Sequence, residues 1–301
     1  MQLLLLILMM FSLGSFSLVV VNMIVPALTG AQVADLTNLS AKSPRNVIDA
    51  ALLVQFVTAS GAFLLPALLF SYMTHPQPGC YLGLRKPGKS IQWLLVIMLM
   101  IGAIPVFLGI DGLFKTFDFG EAINKMQEKN ENAFEALLQM PTFLSFVKAF
   151  FVLAILPAVS EEMIFRGILM RTLHRRNKRI GVAVAITAFI FAMVHYNPYG
   201  LFAIFFAAVL LGYIYYLTGS LWMSILAHLI NNGLQIVLIY MGNTNSSLKT
   251  FIEQDHLPVW LPLAGAVLMG FSLYLLWKNR TPLPDNWSED FTAAELMERE
   301  K

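Results

Sequence analysis

Eight apolar stretches decide most of what this chain can fold into. They run at about 3–27, 47–73, 91–110, 143–170, 180–197, 199–217, 219–241 and 257–277. Each is long enough, or nearly so, to cross a hydrocarbon layer of about 30 Å as a helix. The expected fold is an all-α membrane protein of about eight transmembrane helices, with the active site inside the bundle. Composition agrees: 13% of residues are charged and mean hydropathy is +0.68, against about 25% charged in soluble domains. A net charge of +2, with no basic run interleaved with aromatics, points away from nucleic acid. The single cysteine, Cys80, excludes an intrachain disulfide and a cysteine metal cluster. The first 28 residues lack a positive leading region, and their apolar stretch exceeds a signal-peptide core. They are read as a first span.

Loop charge sets the expected orientation. Arg171, Arg175, Arg176, Lys178 and Arg179 make the loop after the fourth span the most basic, so it is placed in the cytoplasm. Arg85, Lys86 and Lys89 fall on the same side by alternation, as do Lys278 and Arg280. Both termini are then cytoplasmic, in a bacterial inner or plasma membrane. The loop 111–142 goes opposite; it contains a helical stretch at 121–140 whose apolar residues suit either the membrane surface or a solvated helix. The tail 281–301 reads as a solvated acidic end with a short helix at 291–300. The chain divides into a three-span region (1–142), a four-span core (143–241), and a last span with tail (242–301).

Charges inside these stretches are the chemical signal. Each charge near mid-bilayer costs about 2.5–3.5 kcal/mol on insertion scales, yet Glu161, Glu162 and Arg166 sit together inside the fourth stretch. Glu162 and Arg166, four apart, share a helix face, so an ion pair between them leaves Glu161 less encumbered. Pro157 is placed to kink the helix beside them. His195 and His228 lie within spans, whereas His75, His174 and His256 fall in loops or at segment ends. Ser224, His228, Asn232 and Gln235 form one polar stripe, with Asn231 beside it. At 1.5 Å per residue Glu161 is roughly 15 Å from the basic end, His195 roughly 22 Å, and His228 and Asn232 roughly 14 and 20 Å. Helices remote in sequence thus bring their polar groups to one layer. Isolated structural residues have no reason to coincide in depth.

A glutamate beside a histidine in a low-dielectric cavity is equipped to activate water, and a second histidine with an asparagine can stabilise an oxyanion. These are parts for amide hydrolysis without a covalent intermediate. Glu161, His195 and His228 are alternatively three ligands of zinc with an open fourth position, though no HExxH is present. Ser160 and Ser224 lack the GxSxG context of a serine hydrolase.

Three motifs carry a resemblance: Glu161-Glu162-Met-Ile-Phe-Arg166, Phe191-Ala-Met-Val-His195 and His228-Leu-Ile-Asn231-Asn232. In order and on separate spans they are similar to the Glu-Glu-x-x-x-Arg, Phe-x-x-x-His and His-x-x-x-Asn motifs of the CPBP family of intramembrane proteases. That family includes the type II CAAX prenyl endopeptidases and the bacterial bacteriocin-processing and self-immunity (Abi) proteins. The resemblance covers about 143–241. It implies Glu161 as the water-activating base with His195, and His228 and Asn232 binding the oxyanion. Glu162 and Arg166 then order the site, supported by Phe191; in a metalloprotease version His228 helps to hold zinc. The expected function is an intramembrane endopeptidase acting from the cytoplasmic side on a membrane-embedded or membrane-proximal protein or peptide. The alternatives are a proton-coupled transporter using the same cluster, which lacks the usual internal repeat, and a non-catalytic immunity or partner protein.

Overall fold

In a computed structural model of the protein, residues 2–252, 258–284 and 286–289 are described. They form helices and, among the described residues, no strand. Seven helices are long and apolar enough to cross a membrane: α1 (Gln2–Thr29), α2 (Arg45–Thr74), α3 (Ile91–Phe114), α5 (Phe143–Asn177), α7 (Leu201–Thr218), α8 (Leu221–Gly242) and α9 (Trp260–Lys278). Between them lie α4 (Glu121–Leu137), which is amphipathic, and α6 (Ile180–Val194), which is apolar but shorter. The protein is an integral membrane protein. Its lipid-facing surface is visible in side chains such as Phe11, Met23, Leu263 and Val267, each more than 60% exposed.

Proline shapes the two longest helices. A proline supplies no N–H, and its ring crowds the carbonyl four residues back. Ser60–Leu64 and Phe151–Ile155 are π-helical, and each is followed at once by a Leu-Pro pair, Leu65-Pro66 and Leu156-Pro157. Opening the turn before the proline to π spacing moves the crowded carbonyl aside. The kink expected at Pro157 is therefore taken up as a widened turn preceding it. A third π segment, Met163–Met170, carries Arg166 and has no proline to cause it. α5 starts at a Thr142 cap, whose hydroxyl accepts from the Ser145 N–H, and ends at Lys178 in the left-handed region.

The largest core joins α2, α5, α6, α7 and α8 around Phe70, Phe165, Ile168, Met170 and Tyr215. A second joins α3, α7, α8 and α9. There α3 and α9 touch backbone to backbone: a Cβ on Gly102 would lie 2.6 Å from the Met269 nitrogen and 2.8 Å from the Gly265 oxygen. Small residues at such crossings let van der Waals contact hold two spans together.

The two ends of the bundle are closed differently. At the basic end the chain after α9 folds back, contrary to the solvated tail expected. The Thr281 N–H donates to Leu217 O at 2.8 Å, and the Gln92 amide donates to Asn279 O at 2.9 Å. Trp287 stacks on His174 with ring centroids 5.3 Å apart, and Arg171 donates to Glu289 O at 2.6 Å. The helix expected at 291–300, and His256, lie outside the described residues. At the other end α4 lies across the start of α2 and the turn after α6. Asn130 donates to Tyr196 O at 3.1 Å, Tyr199 donates to Asn124 Oδ1 at 2.5 Å, and Arg45 donates to Gln139 O at 2.6 Å. Packing on the bundle thus orders α4, which the sequence left between membrane surface and solvent.

Candidate active site

Glu162 is fully buried, and every polar contact it makes comes from a donor. Arg166, four residues on, reaches its Oε1 at 2.5 Å with Nη1, the pairing that spacing predicts. The other terminal nitrogen of Arg166 donates to Ala208 O on α7 at 2.8 Å. Its guanidinium carbon lies 4.9 Å from the Phe191 ring centroid. From α8, His228 Nδ1 sits 2.9 Å from Glu162 Oε1, and the Ser224 hydroxyl sits 2.6 Å from Oε2. A carboxylate that accepts from a guanidinium and a hydroxyl has only lone pairs to offer the imidazole. Nδ1 of His228 therefore carries a proton, and Nε2 points toward Glu161.

His195 is held the same way. Its Nδ1 lies 2.7 Å from the carbonyl of Phe191, an obligate acceptor, so Nδ1 again carries a proton. Both Nε2 atoms face one atom: Glu161 Oε2 is 3.9 Å from His195 Nε2 and 3.9 Å from His228 Nε2. That oxygen is buried and has no hydrogen-bond partner within the protein. Exposure grades across the trio, from 5% for the His228 side chain through 17% for Glu161 to 33% for His195. Phe191 is the wedge between them, its ring centroid 4.4 Å from His195, 5.9 Å from His228 and 4.9 Å from Phe165.

The structure thus brings Glu161, Glu162, Arg166, Phe191, His195 and His228 together from three helices. Asn232 follows one turn above His228, half-buried, and its Oδ1 accepts from Asn231 Nδ2 at 3.1 Å. Its NH2 group is then the end left to donate. The polar stripe on α8 stops short of its expected length, since Gln235 is exposed. Sequence reasoning placed Ser224 in that stripe but not on Glu162, because a serine inside a helix usually bonds its own backbone. His195 lies not in mid-helix but at the C-cap of α6, at the end where α4 sits and opposite the basic loops. Its exposed flank therefore opens away from the side expected to admit substrate.

The residues suit zinc in kind but not in spacing. Bonds of about 2.0–2.1 Å in a tetrahedron put neighbouring ligand atoms about 3.4 Å apart, and both separations here are 3.9 Å. Among the described residues, no group of three His, Cys, Asp or Glu side chains is arranged to hold a metal ion. The same 3.9 Å suits a single water hydrogen-bonded at about 2.8 Å to an oxygen and a nitrogen.

No match is found among curated proteins or among solved structures. Residues 143–234, which contain all of these side chains, match the family described as type II CAAX prenyl endopeptidase Rce1-like. The stretch of α5 to α8 that holds the Glu161, His195 and His228 trio is thus the part of the chain similar to the Rce1-like family of type II CAAX prenyl endopeptidases.

Proposed function

We propose that the protein is an intramembrane endopeptidase in which Glu161 activates a water for attack on a peptide bond of a membrane-embedded or membrane-proximal substrate. One observation carries this reading: a buried carboxylate oxygen without a protein hydrogen-bond partner, faced by two imidazole Nε2 atoms at equal distance. A water there gives one O–H to Glu161 Oε2 and the other to one Nε2, which turns its own lone pair outward. Its oxygen attacks the scissile carbonyl carbon as Glu161 takes the proton. The carbonyl electrons become an oxyanion. When the C–N bond breaks, Glu161 returns the proton to the leaving amine, giving a carboxyl product and an amine product.

Fixing Nδ1–H on both rings changes one expected role. With its ring neutral in this reading, His228 accepts at Nε2 and cannot donate to an oxyanion, so it and His195 are the two rings that can take the water's second O–H, one at a time. Asn232, with its NH2 available, is the donor for the oxyanion. Glu162, Arg166 and Phe191 hold the rings in place. We derive no step through zinc, because the spacing disfavours it. Residues 143–241 form the working unit in this reading, and the exposed flank of His195 is where substrate comes in. A transporter using the same cluster leaves the domain match unexplained.

The test is Glu161→Gln in purified protein reconstituted into vesicles, with a peptide ending in a prenylated Cys-aliphatic-aliphatic-X sequence as the probe, and membrane proteomics of cells carrying either form. Cleavage by the parent and loss of at least about 100-fold in the variant is expected, the scale on which one acid–base group contributes. A variant that cleaves at the parent rate refutes the assignment. Chelation with 1,10-phenanthroline leaves the rate unchanged on this reading; a loss restored by added zinc returns the trio to the metalloprotease version.

A further inference from the structure

Several hydroxyls inside the spans of this protein share one habit that Ser224 does not. Ser17, Thr58, Thr74, Ser160, Thr172 and Thr218 each turn back to the carbonyl four residues earlier, at 2.7 or 2.8 Å. Ser224 is fully buried and instead crosses to another helix, 2.6 Å from Glu162 Oε2. Its oxygen is also 3.0 Å from Leu211 O, but a hydroxyl has one proton and both neighbours only accept. The shorter, charge-assisted contact takes it.

The oxygens of Glu162 then divide their work. Oε1 serves Arg166 and His228, while Oε2 accepts from Ser224. Because the carboxylate is fully buried, no water substitutes for a missing donor. Removing the hydroxyl leaves Oε2 bare, and rotation of the carboxylate to share Arg166 between both oxygens takes Oε1 off His228 Nδ1. The ring then loses what fixes its proton on Nδ1 and its lone pair toward Glu161.

We infer that Ser224 is a positioning residue that sets the tautomer of His228 through Glu162. The claim rests on the hydrolytic reading only for its kinetic consequence; the tautomer itself is observable without any substrate. Outer partners of this kind change activity by about 10- to 100-fold when removed.

The experiment compares Ser224→Ala and Ser224→Thr in the full-length, detergent-purified protein labelled with 15N-histidine. The His228 resonances are assigned by their loss in His228→Asn. In the parent and in Ser224→Thr, the His228 ring shows one protonated Nδ1 and one unprotonated Nε2 at neutral pH. In Ser224→Ala the two nitrogen signals move toward each other as tautomers mix. With the prenylated peptide, Ser224→Ala lowers kcat about 10- to 100-fold with KM near the parent value, and Ser224→Thr recovers most of it. An unchanged His228 signature in Ser224→Ala overturns the inference whatever the rate does. Mixed tautomers with no effect of Glu161→Gln on cleavage instead sink the hydrolytic reading and leave the inference standing.

Discussion

Arg166→Met removes the positive half of an ion pair whose members are both fully buried. Glu162 then keeps only Ser224 and His228 as donors, and its charge loses a guanidinium 2.5 Å away. Two unit charges with centres about 4 Å apart attract by about 4 kcal/mol at an effective dielectric of about 20. Breaking buried pairs by truncating one partner costs about 3–5 kcal/mol. The bond from Arg166 to Ala208 O and the contact with Phe191 go as well, so the upper half of that range applies. Glu162→Gln alone strands the guanidinium and costs a similar amount. The double variant removes both charges and costs far less than the sum, leaving a coupling of about 3 kcal/mol. Reversible unfolding in mixed micelles, followed by circular dichroism for the parent and the three variants, measures all four corners of the cycle. A coupling below about 1 kcal/mol, the level of an exposed pair, would show that water screens the pair and that the site is wetter than its packing implies.

Three further outcomes follow from other parts of the fold. Gly102→Leu places a side chain against the backbone of α9 and destabilises by about 1–3 kcal/mol, read as a lower unfolding midpoint with the site residues intact. At the α4 end, burial alone would push the Glu131 carboxyl up, but the hydrogen bond from Gln127 and the ammonium of Lys115 hold it below its usual 4.5. Its stabilising contribution is full above about 4.5 and disappears as pH falls through the lower folded value. Amide protection across 121–137, corrected for intrinsic exchange, drops there before that of α5. For Lys115, burial works to lower the ammonium, and Asp111 and Glu131 outweigh it to hold it above 10.5. That contribution is complete below 10.5 and is lost as pH rises through the folded value, so the same protection is also lost on the alkaline side.

Charge inside apolar runs is costly enough to be read directly, which is why Glu161, Glu162, Arg166, His195 and His228 were legible before any coordinates. The ion pair was legible too, since the four-residue spacing leaves one geometry. Depth counted along separate helices brought the trio to one level because rise per residue varies little. What escaped was set by partners elsewhere in the chain. Ser224 had two acceptors open to it, and only packing of α8 on α5 selects the carboxylate. The end of α6 at Val194 falls three residues short of the expected 197, because the span was carried through His195-Tyr196-Asn197 to the break at Pro198 while Tyr196 already turns left-handed. The π turn before Pro157 was foreseeable as a kink but not as a widened turn, and the one before Pro66 was not singled out in the sequence. The docking of α4 depends on side chains such as Asn130 and Tyr199, which carry no periodic signal.

The brevity of α6 reaches beyond the protein. Fifteen residues span about 22 Å, several ångströms less than an ordinary hydrocarbon layer, and the chain beyond them is the polar turn at His195. Lipids beside this flank must compress to cover it, at fractions of a kcal/mol per ångström. An approaching polypeptide therefore meets headgroups and water sooner here than elsewhere along the perimeter. Reconstitution in short-chain lipids favours turnover, and long-chain lipids suppress it.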